Sequence, residues 1–402
     1  MKILYIGHTY TIRANQEKIA ALAKVSSSNG PVEITLVTPH AWRGPLYRNK
    51  TDRFDTSLAP KVAHHIVRAF FIGKESGYVF APSVFSLIAR VQPDIVHVEQ
   101  GAYALSYAQI LFGLKLFSPN SRALFFTWWN LPYGPHGVKR IAERFNLAHS
   151  AAAIAGNVAA RNILQEHGFK RQIQVLPQLG IDVSKFSSGT PNRISQHFTI
   201  GYAGRITEEK GVLDLVQAIA TLPNREKLQL YLIGAGSALT AVQGTARELG
   251  VPVLYHGAVR NEELPEHLAR MDVLVLPSRT TPIWVEQFGH ILLEAMAVGI
   301  PVIGSSSGEI PNVIGDAGII FDEGNARALA DALELLRNNR LERERFAALG
   351  KNRVTRYYTH ERIADVQMQL YDWMMERGVP VGTRERGKRT GAVEQTMETS
   401  AL

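Results

Sequence analysis

Two carboxylates eight residues apart, Glu286 and Glu294, stand in the run Trp284-Val-Glu-Gln-Phe-Gly-His-Ile-Leu-Leu-Glu-Ala-Met-Ala-Val-Gly-Ile-Pro-Val302. Glu294 falls among Ile291, Leu292, Leu293, Ala295 and Met296, where an ionised carboxylate loses hydration unless a donor reaches it. Either an internal Arg supplies that donor or a hydroxyl-bearing ligand does. Phe288 and Gly289 open the helix expected over 289–298, so its first N–H groups and positive dipole end fall beside Glu286 and suit a phosphate. The segment has the makings of a sugar-nucleotide holder.

A second constellation begins the latter half of the chain: Thr199-Ile-Gly-Tyr-Ala-Gly-Arg-Ile-Thr-Glu-Glu-Lys-Gly-Val212, a strand running through a small-residue turn into a helix. Gly201 and Gly204 admit close approach of a ligand to the backbone. Arg205 and Lys210 fall at the C-terminal edge of the expected sheet, where open α/β folds bind ligands. Two cations there fit a diphosphate and offset the charge that builds on a departing phosphate. Gly234-Ala-Gly236 and His256-Gly-Ala-Val-Arg260 are further turns at strand ends, and the Val259-Arg260 loop either borders a nucleotide base or is a plain connector. There is no Gly-x-Gly-x-x-Gly fingerprint for a nicotinamide dinucleotide.

The elements that must position these residues are βαβ units. Apolar strand patterns near Ile3–Ile6, Glu33–Thr38, Ile95–Val98, Leu124–Thr127, Ala152–Ala155 and Ile173–Leu176 alternate with helical ones near Glu17–Ser26, Ala104–Leu116, Val138–Asn146 and Asn157–His167. The same grammar returns with strands near Thr199–Tyr202, Gln229–Ile233, Val253–His256, Val273–Leu276, Val302–Gly304 and Gly318–Phe321. Their helices fall near Lys210–Ala220, Ala238–Leu249, Glu262–Met271, Gly289–Val298 and Ala326–Asn338, and two more, Leu341–Tyr357 and His360–Arg377, close the pattern. The fold class is α/β, with two doubly wound Rossmann-like domains. A chain of 402 residues exceeds the size of one hydrophobic core. The domains expected are 1–187, 188–358, a helix 359–380 packing back on the first, and a tail 381–402 without apolar periodicity; the Ser- and Pro-bearing stretch Asp182–Arg193 is the hinge.

The chain has no cysteine, which excludes disulfides, thiolate nucleophiles and cysteine-bound metals. Its histidines, including the adjacent His64 and His65, lack metal-site spacing, so no metal is expected. The N-terminus reads as a strand rather than a signal peptide, and no apolar run reaches the roughly 20 residues of a membrane span. Residues 1–187 hold 21 Lys+Arg against 10 Asp+Glu, and the remainder 23 against 26. A basic first half beside the aromatic stretch Ala69–Phe80 is either a solvated basic surface with an ordinary buried strand or loop, or a face for an anionic membrane or a lipid-linked phosphate, whereas no nucleic-acid motif accompanies the charge.

The Gly-Arg-Ile…Glu-Lys-Gly turn, the His-Gly-x-Val turn, Asp272-Val-Leu-Val-Leu-Pro-Ser278, the Glu-x7-Glu segment ending Gly-Ile-Pro-Val-Ile, and Ser307-Gly-Glu-Ile-Pro311 occur in order over about 198–325. As a set they resemble the family 4 retaining glycosyltransferases, group 1, which have the B-type fold of two Rossmann-like domains facing a cleft. Pro177-Gln-Leu-Gly-Ile-Asp182 with Phe186 resembles the stretch before that family's interdomain linker. The resemblance implies that Arg205 and Lys210 hold the donor diphosphate, that Glu286 contacts the transferred sugar, and that Glu294 binds the ribose hydroxyls. Gly204, Gly234, Val259 and the backbone at Phe288, Gly289, His290 and Ile291 complete the donor set. The family's retaining members are thought to let the acceptor hydroxyl attack from the leaving-group side, with the phosphate taking its proton. Two departures stand out: Gly7-His-Thr-Tyr-Thr-Ile-Arg13 replaces a glycine pair, and Trp129 in Thr127-Trp-Trp-Asn130 replaces a histidine. Gly7, Glu99, Trp129 and Asn130 are the candidate acceptor or sugar contacts.

The expectation is therefore a retaining, cytoplasmic glycosyltransferase, with the inner membrane face as one setting. It moves sugar from a nucleotide-diphosphate donor to a glycolipid, polysaccharide or lipid-linked hydroxyl, and needs no cofactor or metal. The rivals are a sugar-nucleotide epimerase on the same scaffold and a catalytically impaired sugar-nucleotide-binding protein.

Overall fold

The structure is a computed structural model, and it describes residues 1–44, 50–186 and 197–383. The chain divides into two compact units. Among the described residues, unit 1 is Met1–Gly180 with the chain from His360 to Thr383, and unit 2 is Ile181–Thr359. Among the described residues no helix is long and apolar enough to cross a membrane.

Unit 1 contains strands β1 (Lys2–Ile6), β2 (Glu33–Pro39), β3 (Ala63–Val67), β4 (Ala69–Phe70), β5 (Val79–Phe80), β6 (Ile95–Val98), β7 (Arg122–Thr127), β8 (Ala152–Ala155) and β9 (Gln172–Val175). Its helices are α1 (Glu17–Leu22), α2 (Ser83–Val91), α3 (Leu105–Phe117), α4 (Val138–His149) and α5 (Val158–Glu166), with a closing helix at His360–Arg377. Seven strands form a parallel sheet in the order β3-β2-β1-β6-β7-β8-β9, and β4 and β5 make a small antiparallel pair. Alternating side chains feed opposite faces: Ile3 and Tyr5 enter one core, Leu4 and Ile6 the other. Burial on both faces is why the central strands read as continuous apolar runs.

The closing helix packs on α1, and Asp372 accepts from Ser27 Oγ at 2.5 Å and Ser28 N at 3.0 Å. The aromatic stretch is divided: Tyr78 and Phe80 are buried, and Phe70 and Phe71 are exposed.

Unit 2 contains β10 (Phe198–Ala203), β11 (Leu228–Ile233), β12 (Val253–Gly257), β13 (Val273–Leu276), β14 (Val302–Ser305) and β15 (Gly318–Phe321). Its helices are α6 (Val212–Thr221), α7 (Leu239–Glu248), α8 (Leu264–Leu268), α9 (His290–Val298), α10 (Ile310–Ile314), α11 (Ala326–Asn338) and α12 (Arg340–Tyr357). The sheet order is β12-β11-β10-β13-β14-β15, all parallel. Strand order reverses between β10 and β13, so the loops after these strands are neighbours at the position where doubly wound sheets hold ligands.

The boundary between units falls at Gly180, not at 187. Ile181 bridges Thr359, its N–H donates to Tyr358 O at 2.9 Å, and the turn Val183–Phe186 packs on α9. These bonds tie 181–186 to unit 2 and correct the expected division. The rest of the expected hinge, 187–193, lies outside the described residues, as does most of the expected tail, 384–402.

Candidate functional site

The switch point of unit 2 brings the second-half constellations together. Lys210 ends a short turn, Glu208–Lys210, that leads into α6, and Glu286 lies on the loop between β13 and α9. Lys210 Nζ reaches Glu286 Oε2 at 2.6 Å, and Ser278 Oγ donates to the same oxygen at 2.7 Å. The ammonium also sits 4.5 Å from the centroid of the Trp284 ring, a cation–π contact that fixes its direction.

The backbone holding Glu286 is clamped from the connection between β14 and α10. Glu309 N donates to Glu286 O at 3.1 Å, and a Cβ at Gly308, whose φ is +56°, would lie 2.0 Å from that carbonyl oxygen. Only glycine fits there. The loop after β13 is tied to α6 as well. The guanidinium of Arg279 grips both carboxylate oxygens of buried Asp214, and Arg279 N donates to Glu209 O at 2.8 Å. Asp214 and Arg279 escaped the sequence-based set. The visible signal was an acid in the first turn of α6 and an Arg directly after Leu-Pro-Ser278.

Arg205 turns outward from the same turn, with a side chain 64% exposed and a guanidinium nitrogen 3.9 Å from Glu209. Gly204 and Gly234 come into backbone contact: Gly204 N donates to Ile233 O at 3.1 Å, and a Cβ on Gly234 would meet Gly204 O at 1.8 Å. Val259 lies beyond β12, at the far edge of the sheet, and is half-buried. Gly289, in the left-handed region with φ +86°, precedes α9, and buried Phe288 packs on His290 with ring centroids 4.8 Å apart. His290 and Ile291 are the first residues of the helix.

Glu294 is the exception in this well-bonded region. Among the described residues no hydrogen-bond donor or cation reaches its half-buried carboxylate, and burial pushes it up to about 7. No internal Arg among the described residues is the alternative partner.

In unit 1 the loops after β1 and β6 are the switch-point neighbours, and their polar groups are spent on one another. Glu99, expected as an acceptor contact from its strand-end position, is enclosed. It accepts from Tyr5 OH, from Tyr10 OH at 2.6 Å, from Lys18 Nζ at 3.0 Å and from Gln178 Nε2 at 2.5 Å. Burial raises its carboxyl, but Lys18 and the tyrosine hydroxyls outweigh that and hold it below the usual carboxylate range. Gly7 packs on the ring of Tyr10, 3.0 Å from where a Cβ would be, so its role is to admit that ring. His8 is buried against Trp42, its ring centroid 4.1 Å away, and burial lowers it to about 4.

Trp128 and Trp129 take different roles. Trp128 Nε1 donates to Gln178 Oε1 at 2.9 Å and its ring covers Gly156, whereas Trp129 is 42% exposed, its ring edge-on to Tyr133. Asn130 follows it in the loop after β7 and is half-buried. Gln178, which joins Trp128, Thr9 and Glu99, is a further residue that the sequence did not single out.

Two doubly wound units of parallel sheet and covering helices define the class: an α/β chain of two Rossmann-like units, the architecture of the B-type glycosyltransferases. Residues 186–353 match the family described as Glycosyl transferases group 1. The chain is 28% identical over 239 residues to a GDP-mannose-dependent alpha-(1-6)-phosphatidylinositol monomannoside mannosyltransferase of Mycobacterium tuberculosis, covering 56% of this chain and 60% of that protein. It is 29% identical over 211 residues to the lipopolysaccharide core biosynthesis glycosyltransferase LpsE of Rhizobium meliloti, covering 50% of this chain and 58% of that protein. The matches thus span about three fifths of the length of these curated relatives. Among solved structures, the lipopolysaccharide outer core galactosyltransferase WaaB in its apo form superposes with TM-score 0.65 at 18% identity, covering 93% of this chain and all (100%) of that one. Anabaena Alr3699/HepE in complex with UDP gives 0.67 at 17%, covering 92% and 99%. These two likenesses concern the fold.

Proposed function

We propose that the protein is a retaining glycosyltransferase that carries a sugar from a nucleotide-diphosphate donor to a hydroxyl of a glycolipid, polysaccharide or lipid-linked acceptor. The observation that carries this is Glu294, a carboxylate held inside a helix with no donor among the described residues, a few residues beyond the start of α9. Two vicinal ribose hydroxyls both donate to one carboxylate and supply what it lacks. The relatives named as mannosyl- and lipopolysaccharide glycosyltransferases support the same reading.

The diphosphate lies against Arg205, Lys210 and the N-terminus of α9. Lys210 has three donors, so it keeps Glu286 while gripping a phosphate oxygen, and Arg205 takes two oxygens at once. Glu286, held by Lys210, Ser278 and the Gly308–Glu309 backbone, faces the transferred sugar. The acceptor oxygen bonds to the anomeric carbon as the bond from that carbon to the phosphate oxygen breaks. The acceptor's proton passes to the departing phosphate, so no imidazole is needed at Trp129, and the product keeps the donor's configuration. Charge on the leaving diphosphate is met by side chains and the helix start, and no metal ion is required.

Donor hydrolysis without acceptor tests this reading. Slow release of free sugar from one member of a sugar-nucleotide panel, lost in Glu286→Ala and Arg205→Ala, is the expected result. Release unchanged in both variants would remove the assigned roles. Donor binding, read as a rise in melting temperature, without any release would favour the impaired binding protein.

A further inference from the structure

Unit 1 carries a cavity of about 740 Å³ among the loop after β7, α4 and the turn between α5 and β9. That volume is in the range of small-molecule sites. Its lining is cationic. Arg140 and Arg144, one turn apart on α4, and Lys170 on the turn contribute to its walls, and all three are exposed. No carboxylate or other side-chain partner engages these three cations among the described residues. Two guanidinium groups at i and i+4 repel and cost a helix stability unless something anionic lies between them. Arg171, a fourth cation of the wall, is fixed by donation to Ser150 O.

One acid faces the same space, and it is already engaged. Glu143 Oε1 accepts from Tyr133 OH at 2.6 Å and lies 2.9 Å from His167 Nδ1, and the Tyr133 and His167 rings pack with centroids 4.4 Å apart. The cavity therefore joins unpaired cations on one side to an aromatic and imidazole wall on the other. That combination suits an anion attached to a larger body rather than a bare ion.

We propose that this cavity binds a phosphate-bearing ligand, its phosphate gripped by Arg140, Arg144 and Lys170 and the group attached to it lying along Tyr133 and His167. The site's lining belongs wholly to unit 1. Arginine on adjacent helical turns gives paired, directional donors to phosphate oxygens, with lysine as a point charge.

The test is an amide-resolved NMR titration of the full chain with inorganic phosphate, then glycerol phosphate. Saturable shifts at Gly134, Gly168 and Lys170 are expected, with affinity about tenfold weaker in the double variant R140E and R144E. The variant pair K61E and R90E makes the same charge change at exposed positions elsewhere in unit 1 and should leave the affinity unchanged. Absent shifts, shifts that persist in R140E/R144E, or equal weakening by K61E/R90E would overturn the site. Vesicles of phosphatidylglycerol against phosphatidylcholine identify the source. Sedimentation with the former alone, lost in R140E/R144E, assigns a lipid headgroup, and phosphate shifts without sedimentation assign a soluble phosphate ester.

Discussion

In unit 1 the strand order reverses between β1 and β6, and there Lys18 on α1 meets Glu99 at the end of β6. In unit 2 it reverses between β10 and β13, and there Lys210 meets Glu286. The first pair is sealed, with side chains 2% and 0% exposed, and two tyrosines and a glutamine complete its hydrogen bonds. The second keeps 12% and 9% exposure beside an outward Arg205, and Glu294, farther along the same segment, has no partner among the described residues. One fold position thus yields a sealed internal strut in unit 1 and a less enclosed pair in unit 2, according to how many of its donors the protein spends on itself.

The largest effect should come from breaking the strut. Lys18→Ala leaves Glu99 ionised and buried with its cation gone, and removing one partner of a buried pair costs about 3–5 kcal/mol. The denaturation midpoint should fall by a corresponding amount, with donor affinity of the surviving folded protein unchanged. A midpoint equal to wild type would show that the sealed pair is not structural. The pH dependence has a fixed sign: Glu99 is held below its ordinary range, so its contribution is present above that range and is lost as pH falls through the lower folded value.

The same deletion at the other switch point should act on chemistry. Lys210→Ala and Arg205→Ala each remove a cation from the leaving phosphate, and losing one such preorganised group costs about 10²–10³ in kcat. Stability should move less in Arg205→Ala, whose side chain is exposed, than in Lys210→Ala, which strands Glu286. Wild-type turnover in both would dissolve the contrast between strut and site.

Glu294 sharpens the comparison through pH. Its carboxyl is pushed up to about 7, so the fold binds a proton there that the unfolded chain releases, and stability declines as pH rises from the ordinary Glu range toward about 7. Glu294→Gln should abolish that decline. Nucleotide affinity has the opposite slope, since ribose hydroxyls need the ionised acceptor. It should weaken as pH drops below about 7 in wild type and lose that slope in Glu294→Gln, with affinity near neutrality reduced about tenfold or more. Calorimetric titration with the nucleotide at several pH values checks both, and a flat profile in wild type would separate Glu294 from the ligand.

Most of this architecture is visible in the sequence because buried parallel strands are continuous apolar runs punctuated by small-residue turns. Elements lacking that signature were passed over. β3 is Ala-His-His-Ile-Val, its polarity matched by the 2.8 Å bond between His64 Nε2 and Thr38 Oγ1 and by Phe54 N–H, which donates to His64 Nδ1 at 3.0 Å. α2 and α10 are short and follow aromatic or serine-rich runs, and α8 is shorter than the pattern over 262–271 suggested. At the site, residue type and spacing pointed to Lys210, Glu286 and Glu294. What they do not encode is partnering across long separations: Glu99 took its cation from Lys18 and its amide from Gln178, and Arg279 took its acid from Asp214. A carboxylate at a strand end looks the same on paper whether or not a distant side chain claims it.

The smallest effect belongs to the tryptophan pair, which carries the same contrast on adjacent residues. Trp128 is committed inward through Gln178 and Gly156, and Trp129 presents its ring to solvent. Trp129→Ala should therefore change stability by no more than about 0.5 kcal/mol, as exposed positions do. If that ring stacks on the acceptor, KM for the acceptor rises severalfold while acceptor-independent donor hydrolysis holds its rate, because only unit 1 has lost a contact. Trp128→Phe should reverse this division, lowering the melting temperature through the lost bond to Gln178 with little change in acceptor KM. A drop in donor hydrolysis in Trp129→Ala would place the indole beside the reacting sugar instead, where the family pattern has its histidine, and would make the exposed ring part of the reaction rather than of acceptor capture.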